Sequence, residues 1–260
     1  MNRPKFSIIT PSFNQAKYIE STIRSVLDQP GVDIEYIIMD GGSTDGSVDI
    51  IQKYADKLAY WVSEPDDGQT DAINKGFNRA SGDIFAWINS DDTYEPGTFE
   101  QVAEFFKNNP EIGLVYGEAY FIDGQGHRIG VFPAAQTNLG KLKNGYVHIP
   151  QQAAFFRAEL WQKVGPLDPD FYFAMDYDLW VRLARVTKIA YLPNKFWANF
   201  RLHTSAKTIA ADDRCWPEML KVHYRDGGSL LSPIVAKYYL RKLLAPVITW
   251  NRARKLRRIE

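Results

Sequence analysis

The segment Asn89-Ser90-Asp91-Asp92 follows directly on the apolar run Ile84-Phe85-Ala86-Trp87-Ile88. That run has the length and composition of a buried strand, so two adjacent carboxylates stand where a strand leaves its sheet. Neighbouring carboxylates repel and need a partner, and a hard divalent cation, Mn2+ or Mg2+, suits oxygen ligands of this kind. Ligands of open α/β sheets gather at this edge. A second acidic position, Asp176, opens the helical pattern from Tyr177 to Val186. From its position alone it reads as a helix cap, worth about 1 kcal/mol. Asp178, four residues before Arg182, reads as structural, either a helix cap or that arginine's partner.

The elements that position these residues alternate regularly. Short β-rich runs at Phe6–Thr10, Glu35–Met39, Ala59–Val62, Ile84–Ile88 and Ile112–Tyr116 are separated by segments of helical period at 18–29, 47–55, 70–79 and 98–107. Such alternation predicts an α/β fold with one mostly parallel sheet covered by helices on both faces. Each of the first four strands ends in a polar turn, which brings Asp40, Glu64, Asp66, Asp67, Asp91 and Asp92 to one edge. A single polar loop is ordinary surface; four on one edge suggest a site. Gly41-Gly42-Ser43 has neither the dinucleotide nor the P-loop spacing, and Asp40 reads as an acceptor for a base or ribose.

The second half is less regular. A hairpin is expected around Asp123-Gly124-Gln125-Gly126, with strands at 153–157 and 188–192, a helix at 158–164, and a loop or short helix at 138–145. Trp61, Trp87, Trp161, Trp180 and Trp197 lie mostly in apolar-periodic runs and are expected in the core. Tyr146 and Phe171–Phe173 read as loop aromatics, placed where a ligand could be met.

The 31 basic and 31 acidic residues cancel, so no global field favours nucleic acid. The single cysteine, Cys215, excludes an internal disulfide and suits a reducing, cytoplasmic setting. No apolar stretch reaches membrane-spanning length.

Four blocks together resemble glycosyltransferase family 2, whose members invert at the transferred sugar and have the GT-A fold. They are SIITPSFNQAKYIESTIRSVLDQ, EYIIMDGGSTDGS, EPDDGQTDAINKGFNRASGD and WINSDD. The match is dense from about residue 5 to 116 and thinner to about 208. It implies a single Rossmann-like sheet with a smaller mixed acceptor-side lobe and a helical C-terminal tail. The domain would span 1–228, with a nucleotide-binding half at 1–116 and an acceptor half at 117–228. The resemblance implies a nucleotide-sugar donor, by default a UDP-sugar with GDP and dTDP open, and a glycan or lipid-linked acceptor.

Carried over residue by residue, the donor site comprises Thr10, Pro11, Phe13, Asp40, Asp67, Gln69, Asp71, Asn74, Lys75, Asn89 and Ser90. Asp91 is the metal ligand, Asp92 a second candidate set against an ordinary turn role, and His203 a third set against a structural histidine. Gln151 and Gln152 would face the sugar, and Asp176 is the base. Three positions depart from the family pattern: Gly41 and Asn89 stand where an Asp is common, and Met175 where a Glu is. Two other readings stay open. One is a nucleotide-sugar-binding module that has lost turnover. The other is a sugar nucleotidyltransferase, which would want a Gly-rich basic loop after the first strand, where Thr10-Pro11-Ser12-Phe13-Asn14 stands.

Residues 229–260 form a basic segment with Leu240, Leu243, Leu244 and Val247 at helical spacing. Pro246 would break or kink that helix. The segment reads either as a packed terminal helix with a solvated end or as a peripheral contact with an anionic membrane.

Overall fold

The computed structural model describes residues 4–203 and 212–245, without the side chains of 212–214. Nine strands form one sheet in the order β3-β2-β1-β4-β8-β6-β9-β5, with β7 paired to β6. They are β1 (Lys5–Ser12), β2 (Asp33–Asp40), β3 (Tyr60–Ser63), β4 (Ile84–Trp87), β5 (Thr93–Tyr94), β6 (Ile112–Ile122), β7 (Arg128–Val131), β8 (Ala154–Arg157) and β9 (Lys188–Arg201). Strands β1 to β4, β6 and β9 run one way; β5, β7 and β8 run against them. The expected mostly parallel sheet is therefore present, with antiparallel strands confined to its second half.

The helices are α1 (Ile19–Leu27), α2 (Ser47–Gln52), α3 (Gln69–Arg79), α4 (Thr98–Asn108), α5 (Leu139–Lys143), α6 (Ala158–Val164), α7 (Met175–Val186), α8 (Asp212–Arg225) and α9 (Pro233–Leu243). Successive residues of the central strands alternate between the two faces. Ile9, Ile37, Met39, Phe85 and Trp87 enter one core with α3, α6 and α7. Phe6, Ile8, Tyr36, Ile38, Ile84 and Ala86 enter the other with α1 and α4. Both faces are thus covered, which is why these strands read as continuous apolar runs. Four of the five tryptophans singled out above are buried and Trp61 packs against the core.

Two elements exceed their sequence boundaries. Strand β6 runs on to Ile122 and β9 to Arg201, and they stay parallel past an irregularity opposite Gly117. Tyr116 pairs with Tyr191, yet Glu118 pairs with Phe196, so Leu192–Lys195 bulge out. Pro193-Asn194 reads as a strand end, and Asn194 does take a positive φ of 61°. Gly117 permits the bulge: a Cβ there would lie 2.4 Å from the Lys195 carbonyl. Past the bulge, β9 also pairs with β5, which its two-residue length hid in the sequence. The hairpin at Asp123–Gly126 forms as expected, closed by Asp123 N–H to the His127 carbonyl.

Candidate active site

The parallel register places the ends of the first strands side by side. Ser12 lies opposite Asp40, and Asp40 opposite Ser63. Asp40 is buried, and its carboxylate accepts from Ser43 N–H (2.8 Å), the Ser43 hydroxyl (2.6 Å) and the Ser63 hydroxyl (2.7 Å). The loop after β1 is clipped to the loop after β2 by Asn14 N–H to Ser43 Oγ and Thr44 N–H to Asn14 Oδ1. Phe13 is left 62% exposed on that rim. Gly41 has a packing reason: a Cβ there would sit 2.8 Å from Asp66 Oδ2. Asp66 from the third loop thus occupies the space a side chain at 41 would need.

After β4, the two adjacent carboxylates take opposite environments. Asp91 Oδ2 lies 2.9 Å from His203 Nε2, and both side chains keep some solvent access. Asp92 is completely buried. It accepts from Arg201 N–H (2.8 Å), Gln152 Nε2 (2.9 Å) and, more weakly, Asn89 Nδ2 (3.3 Å). Burial, and then the charge of Asp91, push its carboxyl well above the usual carboxylate range. Arg201 ties the corner together: its Nε donates to the Asp91 carbonyl (2.7 Å), a terminal nitrogen donates to the Asp123 carbonyl, and the guanidinium rests on the Tyr18 ring. The same Tyr18 ring packs on His203.

Helix α3 links this corner to Asp176. Gln69 Nε2 donates to Asn89 Oδ1 (2.6 Å), and the next residue, Thr70, donates to Met175 Sδ (3.0 Å). Asn89 and Met175, two of the departures from the family pattern, therefore both contact the first turn of α3. Trp87 stacks on Trp180 (centroids 5.7 Å apart), which fastens α7 to the end of β4. Asp176 sits in the first turn of α7 and accepts from Tyr177 N–H (2.7 Å). The cap position itself is Ala174. The preceding N–H groups are taken by Glu218 of α8, whose carboxylate accepts from Tyr172 (3.1 Å), Phe173 (2.7 Å) and Ala174 (2.8 Å). Asp178 is fully buried and paired with Arg182 (2.8 Å), as its spacing predicts, and with Arg225 of α8.

Several candidates brace the site from inside. Thr10 hydrogen-bonds the Tyr36 hydroxyl and, like Pro11, is buried. Ser90 is buried, its carbonyl held by Thr22. Asn74 clamps Leu167 through both polar atoms of its amide. Gln151 and Gln152 are buried, Gln151 donating to the Trp87 carbonyl (2.7 Å) and Gln152 to Asp92. The geometry is that of internal struts: Asn74 and Asp92 have both polar side-chain atoms hydrogen-bonded to the protein, and Gln151 and Gln152 their amide nitrogens. Asp71 accepts from Lys75 Nζ (2.8 Å) and from Asp67 N–H. Burial raises its carboxyl, but those two donors outweigh burial and hold it below its ordinary value. Arg201 and Glu218 escaped sequence reasoning. Arg201 stands two residues before His203, in the thinner part of the family match; Glu218 lies in no motif. The last residues of the family match, 204–208, fall outside the described residues.

Among the described residues no cluster of three His, Cys, Asp or Glu side chains could hold a cation unaided. Asp91 and His203 offer two ligand atoms side by side. That fits Mn2+ or Mg2+, which keep several positions for phosphate oxygens and water.

A sheet of this topology with an acidic corner at the end of β4 defines a GT-A glycosyltransferase fold. The sequence model described as glycosyl transferase family 2 matches residues 7–165, and the chain belongs to that family. An uncharacterized glycosyltransferase of Mycobacterium tuberculosis is 34% identical over 188 residues, covering 70% of each chain. A PGL/p-HBAD biosynthesis glycosyltransferase of Mycobacterium bovis is 31% identical over 186 residues, again 70% of each. Among solved structures, S. aureus TarS 1–349 in complex with UDP-GlcNAc superposes with a TM-score of 0.71 at 19% identity, over 93% of this chain and 73% of that one. The mannosyltransferase PcManGT of Pyrobaculum calidifontis, in complex with GDP-Man and Mn2+, gives 0.65 at 18% identity, over 92% and 70%. Of a longer TarS structure the match covers 43%.

Proposed function

We propose that this glycosyltransferase moves a sugar from a nucleoside diphosphate donor, by default a UDP-sugar, to a hydroxyl of a glycan or lipid-linked acceptor, inverting the anomeric centre. The observation that carries the reading is the Asp91–His203 pair two residues beyond Asn89, which meets Gln69 in the first turn of α3, where Thr70 in turn meets Met175 beside Asp176. The solved relatives bound to UDP-GlcNAc and to GDP-Man with Mn2+ support a nucleotide sugar and a divalent cation.

In this reading Asp40, with Asp66 beside Gly41, reads the base, and the exposed Phe13 ring covers its face. Asp67, Gln69, Asp71, Lys75 and Asn89 wall the ribose and diphosphate. Thr10, Pro11, Asn74, Ser90, Asp92, Gln151, Gln152 and Arg201 hold these residues in place. Asp91 and His203 would hold the cation, which would supply positive charge against the departing diphosphate. Asp176 takes the proton of the acceptor hydroxyl. The acceptor oxygen forms the new bond to the anomeric carbon as the anomeric carbon–oxygen bond to the diphosphate breaks, and that electron pair leaves with the nucleoside diphosphate. Residues 1–116 serve the donor and 117–228 mainly the acceptor, with His203 reaching back to the donor side.

The test is release of UDP from UDP-sugars in the presence of glycan and lipid-linked acceptors. Asp176→Asn should lower release about 10²-fold or more while stabilisation by UDP persists; undiminished release would remove Asp176 from the role of base. A second reading, binding without turnover, rests on the departures at Gly41, Asn89 and Met175. It predicts no release by the wild-type chain with any donor.

A further inference from the structure

The structure assigns α9 a second surface. Ile234 and Val235 are buried against the body of the protein, and Arg241 lies over the Trp216 ring of α8. That face fixes the helix. The remaining face presents Tyr239, Leu240, Leu243 and Leu244 to solvent, Leu243 with 80% of its surface exposed. Leu230 and Leu231, just before the helix, are 74% and 95% exposed. At about 100° per residue, Tyr239, Leu243, Leu240 and Leu244 form one continuous stripe. Lys242 borders it on one side and Lys237 on the other. Six exposed large apolar side chains in one short segment exceed the scattered apolar residues of an ordinary surface.

We propose that this stripe docks on an anionic lipid surface. Charge decides the occupant. From Ser229 to Ile259 the chain has eight basic residues and no acidic one. A second copy of the chain would set lysine against lysine, whereas an apolar stripe flanked by lysines suits a bilayer whose headgroups are negative. Among the described residues no helix is long and apolar enough to cross a membrane, so the contact is peripheral. The inference rests on this surface alone and is independent of the donor-site reading.

Flotation of the full chain with vesicles tests it. One set is phosphatidylcholine, the other an equimolar mixture with phosphatidylglycerol. The wild-type chain should float with the anionic vesicles only, and less as salt is raised. The double variant Leu240→Glu with Leu243→Glu replaces exposed side chains, so its melting temperature should stay that of the wild type. Its vesicle affinity should fall by on the order of tenfold or more. A folded double variant that floats as well as the wild type would overturn the proposal. So would a wild-type chain that ignores anionic vesicles, or a solution dimer that these two substitutions dissociate.

Discussion

Asp91 and Asp92 are neighbours in sequence with separate tasks in space. Asp92 is enclosed by Arg201, Gln152 and Asn89 and carries a raised carboxyl pKa, so it shapes the corner. Asp91 keeps solvent access and a histidine partner. The pair was legible in sequence as an acidic strand end; its division of labour was not, because burial depends on β9, over a hundred residues away. If His203 is a ligand, His203→Ala should raise the Mn2+ concentration needed for half-maximal activity roughly 10-fold or more, with little change at saturating metal. An unchanged metal requirement would leave the histidine a packing role against Tyr18. The departures at Gly41 and Asn89 now have physical accounts. Asp66 fills the space beside Gly41, and an amide at 89 can accept from Gln69 and donate to Asp92 at once, which a carboxylate cannot.

At the scale of elements, the strands of the first half were readable because each is buried on both faces. Strand β9 was not. Pro193-Asn194-Lys195 imitates a turn, while Gly117 across from it allows a bulge and lets the strand continue to Arg201. That continuation delivers Arg201 and His203 to the acidic corner. Helix α8 was invisible to motif reading, yet its Glu218 closes three N–H groups ahead of α7, and Arg225 meets Asp178. Removing the Glu218 carboxylate by Glu218→Ala leaves those N–H groups without their acceptor and should cost about 2 kcal/mol of stability. Because the loop leads into Asp176, kcat should fall more than UDP affinity. Glu218→Gln, which keeps an acceptor, should recover part of both. Loss of UDP affinity with kcat retained would show that α8 supports the donor side instead.

Across the whole molecule, stability and chemistry are anchored at opposite ends of the strands. Glu35, early in β2, accepts from Ser7, from Ser81 N–H and hydroxyl, and from Lys5. Burial raises its carboxyl, but the donors outweigh burial and hold the pKa down to about 2, against an ordinary 4.5. A depressed folded pKa stabilises the fold above the unfolded value and ceases to do so as pH falls through the folded one. Glu35 should therefore contribute on the order of 2–3 kcal/mol at neutral pH, lost between about pH 4.5 and pH 2. Glu35→Gln should lower the melting temperature at pH 7 and flatten its slope across that acid window. At the other end of the same strands lie Asp40, Asp91 and the loops that the chemistry uses. The central claim is that a cation joins this edge to a nucleoside diphosphate. The most direct measurement is the melting temperature with UDP, GDP or dTDP, each in Mn2+ and in EDTA. One nucleotide, UDP by default, should stabilise the chain with Mn2+ and far less with EDTA, and Asp91→Asn should abolish the difference. Equal stabilisation with and without metal, or none by any nucleotide, would contradict the account.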